Sequence, residues 1–139
     1  MSGQIVCYVK TNEELIVEAK KAREYAYAPY SNFKVGAALM TKSGKIYSGC
    51  NIENAAYGPT NCAERTAFFK AVSEGERDFA KIAIVGGKAN CAPCGVCRQV
   101  MMEFCDPHDF GIVLENEKNE CVEYKLGELF PLGFGRDNL

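Results

Sequence analysis

The chain has 139 residues, 47% hydrophobic and 24% charged, with a formal charge of −2 and eight cysteines. That length suits one core and a single domain over residues 1–139, and a pI of about 5.5 without any Lys/Arg run argues against nucleic acid as a partner. Residues Met1 to Cys7 show no basic, apolar leader pattern and no stretch approaches a membrane span, so the expectation is a cytoplasmic protein with no membrane partner.

Taken in order, Thr11 to Tyr25 reads as a helix. Thr11-Asn12-Glu13-Glu14 is a capping box, Leu15, Ile16, Ala19, Ala22 and Ala26 share a stripe, and Pro29 lies beyond as a stop. Val35 to Met40 and Ile46 to Asn51 read as strands joined at Lys42-Ser43-Gly44-Lys45. Cys62 to Glu74 is a second helix, stopped near Gly75. Ala80 to Val85 is a buried strand ending in Gly86-Gly87, and Cys94 to Phe104 is a third helix. Phe110 to Leu114 and Cys121 to Tyr124 complete five strands, with a short helix near Leu126 to Phe130. This order implies an α/β fold: a mixed five-stranded sheet between helices, as a three-layer α/β/α domain. Ligands of such folds gather where strands deliver residues to helix N-termini.

Two motifs start helices. Cys62-Ala63-Glu64 offers one thiolate and a carboxylate, and Pro93-Cys94-Gly95-Val96-Cys97 offers two more thiolates. Three protein ligands leave a tetrahedral zinc one open position, where water can bind and ionise near neutral pH. Glu64 then serves as a proton shuttle that does not touch the metal. It also scans as the end of a capping box, Asn61-Cys62-Ala63-Glu64, and it converges with Cys62 only if Cys62 stands at the very start of the helix.

Cys91 forms a rival pair with Cys94, but proline suits a first helical position, so the helix is expected to begin at Pro93 and leave Cys91 outside. Cys7, Cys50, Cys91, Cys105 and Cys121 read as small apolar fillers, and His108, in a turn-like Asp106-Pro107-His108-Asp109, as an exposed non-ligand. A closed structural zinc site would need a fourth protein ligand. Only Cys91 or His108 could supply one, and neither explains Glu64, Asn51 and Glu53.

The blocks Tyr27-Ala28-Pro29-Tyr30-Ser31-Asn32-Phe33-Lys34-Val35-Gly36-Ala37-Ala38, Gly49-Cys50-Asn51-Ile52-Glu53-Asn54-Ala55, Cys62-Ala63-Glu64-Arg65-Thr66-Ala67 and Pro93-Cys94-Gly95-Val96-Cys97-Arg98-Gln99 stand in one order. Together they resemble the small, homotetrameric type of cytidine deaminase, over roughly Thr11 to Phe134. The resemblance implies hydrolytic deamination of cytidine and 2′-deoxycytidine in pyrimidine salvage, with one zinc per chain on Cys62, Cys94 and Cys97. Hydroxide at the open position would attack C4 while Glu64 moves protons. It further implies Arg65 on the ligand sulfurs, Asn51 and Glu53 on the ribose, Phe33 lining the nucleoside pocket and the Ala63 backbone against the pyrimidine. Tyr57 and Phe134 resemble aromatics at subunit junctions, so the implied assembly is a homotetramer with shared active sites. A blasticidin-S-type deaminase shares the metal motifs, and Glu53 is the residue that favours the nucleoside.

Overall fold

Alternation along the strands decides how the molecule is layered. The computed structural model describes residues 9–139; Cys7 lies outside them. Strands β1 (Gly36–Thr41), β2 (Ile46–Cys50), β3 (Phe79–Val85), β4 (Gly111–Glu115) and β5 (Cys121–Lys125) form one sheet in the order β2-β1-β3-β4-β5. Successive side chains point to opposite faces. Ala37, Leu39, Ile82, Ile84, Ile112 and Leu114 therefore meet α2 (Ala63–Ser73) and α3 (Gly95–Phe104) through Ala67, Phe68, Ala71 and Met101. Their neighbours Ala38, Met40, Ala83, Val85 and Val113 face the other way, against Leu15, Ile16 and Ala19 of α1 (Asn12–Arg23). Three layers result, as the element order implied.

Only β3 and β4 run parallel; β1–β2, β1–β3 and β4–β5 are antiparallel. A parallel neighbour requires a crossover, and α3 supplies it. Helix α2 leads directly into β3 and α3 leads directly out, so both run opposite to that strand. Their N-termini are thus brought to the same end of the sheet, beside Val85. This topology builds the site.

Two glycines set the helices on the sheet. A Cβ at Gly36 would lie 2.0 Å from the Ala19 carbonyl oxygen of α1, and one at Gly49 would lie 2.5 Å from that of Ala63 in α2. Backbone approach this close is open only to glycine. Gly49 therefore governs how closely the first turn of α2, with Glu64 in it, seats on β2.

The element ends shift by a residue or two. Helix α1 has its Thr11/Glu14 capping box, with bonds of 2.9 and 3.2 Å, but stops at Arg23. Tyr25 and Ala26 bond three residues back, to Ala22 and Arg23, so the chain leaves by a tightened turn before Pro29 is reached. Strand β2 ends at Cys50, although Ile52 continues the pairing through bridges to Tyr27 and Asn61. The last helix, α4 (Leu126–Leu129), is a single turn.

Candidate active site and metal centre

Cys62 and Cys94 occupy the same position on two helices. Each is an N-cap with extended backbone, φ −75° and ψ 156° for Cys62, φ −69° and ψ 169° for Cys94. The expectation that α3 starts at Pro93 is corrected: Pro93 is buried just outside the helix and Gly95 is its first residue. The physical reason is that the Cys94 sulfur itself caps, accepting from the Cys97 backbone N–H at 3.4 Å. Cys97 sits in the first turn, buried. Both motifs thus stand at helix N-termini, which carry partial positive charge.

The sulfurs converge. Cys62 Sγ and Cys94 Sγ are 3.7 Å apart, Cys94 Sγ and Cys97 Sγ 3.3 Å, and all three lie within 4.8 Å of one another. Tetrahedral zinc with bonds of about 2.3 Å separates its sulfurs by roughly 3.8 Å, so the donor set fits that ion. Among the described residues this is the one cluster of His, Cys, Asp or Glu able to hold a metal, and it includes neither Cys91 nor His108. His108 is exposed. Cys91 packs against Gly86, where an added Cβ would lie 2.5 Å from its sulfur, and burial pushes its thiol up to about 11.

A hydrogen bond from Cys97 holds the Cys62 thiol down to about 5, against the opposing effect of burial and with help from Arg65. Cys97 moves the other way, pushed far up by that same bond and by burial. Arg65 Nη2 donates to Cys62 Sγ at 3.3 Å, while its buried Nε has no hydrogen-bond partner. The guanidinium thus stands beside the Cys62 sulfur with a donor to spare.

Glu64 is the second residue of α2 and only 5% exposed. Burial pushes its carboxyl up to about 7, the Cys62 charge adds to this, and its own backbone N–H works against it. A dication among the sulfurs would cancel much of the Cys62 contribution and leave burial as the standing cause. Regular helical spacing would set positions 62 and 64 on nearly opposite sides. The extended backbone at Cys62 removes that obstacle, and Glu64 feels both Cys62 and Cys97. The cap reading of Asn61 gives way to another bond: its Nδ2 donates to Thr66 Oγ1 at 3.1 Å, and Cys62 is the cap residue.

Asn51 and Glu53 both turn toward the segment before β1. Asn51 Oδ1 accepts from the Val35 N–H at 2.9 Å, and its Nδ2 donates to the Phe33 carbonyl at 2.8 Å. Glu53 Oε1 accepts from the N–H groups of Tyr30 and Ser31 at 3.0 and 3.1 Å, and Oε2 accepts from Ser31 Oγ. The Ser31 hydroxyl, then the backbone donors, hold the Glu53 carboxyl below the usual carboxylate range. Asn32 at φ 56° turns the chain between them, a conformation asparagine tolerates. The Phe33 ring rests 3.1 Å from a Cβ built on Gly86 and 3.3 Å from one on Gly87. Ala63 is fully buried, whereas Tyr57 is 89% and Phe134 56% exposed. Ser31 and Arg98, whose contacts shape this site, were not among the residues expected from sequence. Their only signal there is membership of the quoted blocks.

Fold and site together bring three cysteine sulfurs able to hold a metal beside a buried acid, on a mixed α/β/α sheet. Residues 9–110 match the model of the cytidine and deoxycytidylate deaminase zinc-binding region, and the chain belongs to that family. It is 53% identical to the cytidine deaminase of Sporosarcina psychrophila, over 91% of this chain and 93% of that one. It is 41% identical to the probable cytidine deaminase of Dictyostelium discoideum, over 91% and 86%. The crystal structure of cytidine deaminase from Burkholderia pseudomallei matches with a TM-score of 0.83 at 53% identity, covering 90% of this chain and all of that one. That from Mycobacterium tuberculosis gives 0.76 at 36% identity, covering 88% and 96%.

Proposed function

We propose that this protein is a zinc-dependent enzyme that hydrolyses cytidine and 2′-deoxycytidine to uridine and 2′-deoxyuridine with release of ammonia, in pyrimidine salvage. The observation that carries the reading is the buried Glu64 carboxyl beside three convergent cysteine sulfurs. Cys62, Cys94 and Cys97 would hold one zinc per chain. Bound there, the ion would supply Lewis-acid chemistry that makes water a nucleophile near neutral pH. Everything else falls to the chain's own residues.

Glu64 takes one proton from the attacking water and passes it to N3 of the pyrimidine, then takes the second from the new C4 hydroxyl and hands it to the departing amine, so that C4 exchanges nitrogen for oxygen and both protons of the water are accounted for. A carboxyl poised near neutrality by burial can both accept and donate at that pH. Arg65 offsets the negative charge that three thiolates place at the site. The buried backbone at Ala63 meets the pyrimidine, and Phe33, seated on Gly86 and Gly87, lines its pocket. Asn51 and Glu53 address the ribose, Glu53 at its 3′-hydroxyl. Each keeps hydrogen-bonding capacity after its bonds to residues 30–35, because a carboxylate oxygen or an amide has more than one site. Tyr57 and Phe134, exposed on a single chain, complete the site of a neighbouring subunit in a cytoplasmic homotetramer.

Turnover of cytidine and deoxycytidine, measured alongside zinc content, tests the assignment. One zinc per chain and rapid loss of cytidine absorbance are expected, with free cytosine a poor substrate. Glu64→Gln should keep the zinc and lose turnover by about 10²–10⁴-fold. Efficient cytosine deamination, or near-normal turnover in Glu64→Gln, would refute it.

A further inference from the structure

We infer that Arg98 is a positioning residue for the metal centre, its side chain fixing the peptide before Cys94 and tying it to the C-terminal segment, while the main chain of α3 fixes the peptide after it. The inference rests on the proposed zinc ligation. Cys94 differs from Cys97 in being exposed, so packing does not hold it. Hydrogen bonds do. The Arg98 backbone N–H donates to the Cys94 carbonyl at 3.0 Å, and its Nε donates to the Pro93 carbonyl at 2.8 Å. These carbonyls belong to the two peptide planes that flank the Cys94 Cα. Fixing both planes fixes φ and ψ of Cys94, and with them the direction of its Cβ. The remaining χ1 freedom is taken up by the Cys97 N–H bond to Sγ.

A third bond supplies the anchor. Arg98 Nη1 donates to the carbonyl of Leu129, the last residue of α4, which is itself fixed by fully buried Leu126. The guanidinium therefore bridges the peptide before a ligand and a helix far along the chain. Its fixed fork of donors serves both carbonyls at once. A lysine, with one compact ammonium, cannot reproduce that geometry. The next residue extends the link, Gln99 Nε2 donating to the Phe134 carbonyl at 2.8 Å. Gln99 touches no ligand peptide with its side chain, which makes it the matched control.

The test compares the zinc-loaded wild type with Arg98→Lys, Arg98→Gln and Gln99→Ala. Zinc transfer to a chromophoric chelator is followed well below each melting temperature, and urea midpoints are measured on the zinc-free forms. Loss of a residue that orients a metal ligand typically weakens metal binding about 10–100-fold. Both Arg98 variants should therefore release zinc about that much faster, with Arg98→Lys keeping a near wild-type zinc-free midpoint and Gln99→Ala staying within about twofold of wild type in release. Cobalt(II)-loaded Arg98→Lys should show a weaker thiolate charge-transfer band. Unchanged release and an unchanged band in Arg98→Lys, with wild type holding one zinc, would overturn the inference while sparing the proposed function. A wild type that binds no zinc would overturn both.

Discussion

Glu64 is a carboxyl whose ionisation the fold resists. Its folded pKa near 7 lies above the ordinary value of 4.5, so the folded chain holds this proton more firmly than the unfolded chain. In zinc-free protein the resulting stability is fully present below pH 4.5 and is lost as pH rises through 7. By pH 8 the forced charge costs roughly 3 kcal/mol, since each pKa unit is worth about 1.4 kcal/mol. Glu64→Gln, neutral at every pH, should therefore raise the urea midpoint of the zinc-free protein at pH 8 and leave it nearly unchanged at pH 4. Equal effects at the two pH values would contradict the burial argument. Glu53 behaves oppositely, its charge favoured by Ser31. If it addresses the ribose, Glu53→Gln should raise KM for cytidine several-fold and also lower kcat, as remote binding energy is lost. Steady-state kinetics decide this.

Elements here are placed by backbone contact as much as by apolar stripes. Gly49 lets α2 sit directly on β2, where a Cβ would meet the Ala63 carbonyl oxygen and, at 2.6 Å, the Ala67 nitrogen. Gly49→Ala should therefore cost about 1–3 kcal/mol and depress turnover by displacing Glu64, whereas Gly58→Ala, with open space around it, should do neither. Thermal melts of the two variants beside wild type would show the contrast. The sheet itself was readable in advance, because strand alternation and the Thr11 capping box are written in side-chain types. Helix ends were less so. The start of α3 depends on whether a cysteine sulfur can cap, which proline statistics do not encode. The bonds of Arg98 to Pro93 and Leu129, and of Asn51 to Phe33 and Val35, stayed hidden for another reason. Their partners are backbone groups, which nearly every residue carries alike, so no pattern of letters announces them. The convergence of Cys62, Cys94 and Cys97 was legible because a set of donors able to hold a metal needs particular side chains at particular spacings.

For the whole molecule, the parallel β3–β4 pair and its α3 crossover bring two distant chain segments to one end of the sheet. Exposed Tyr57, Leu132 and Phe134 lie on surfaces that a single chain leaves open. Light scattering should return about four times 15.3 kDa, and an active monomer would refute the shared-site assembly. The paired N-caps have a further consequence in polymer terms. An ion joining Cys62 to Cys94 and Cys97 closes a loop that contains all of α2 and β3. A permanent cross-link over a loop of that length removes about 4 kcal/mol of entropy from the unfolded chain. Such a cation would be a staple as well as a reagent, and a zinc-loaded Glu64→Gln protein should still melt several degrees lower once a chelator has stripped it.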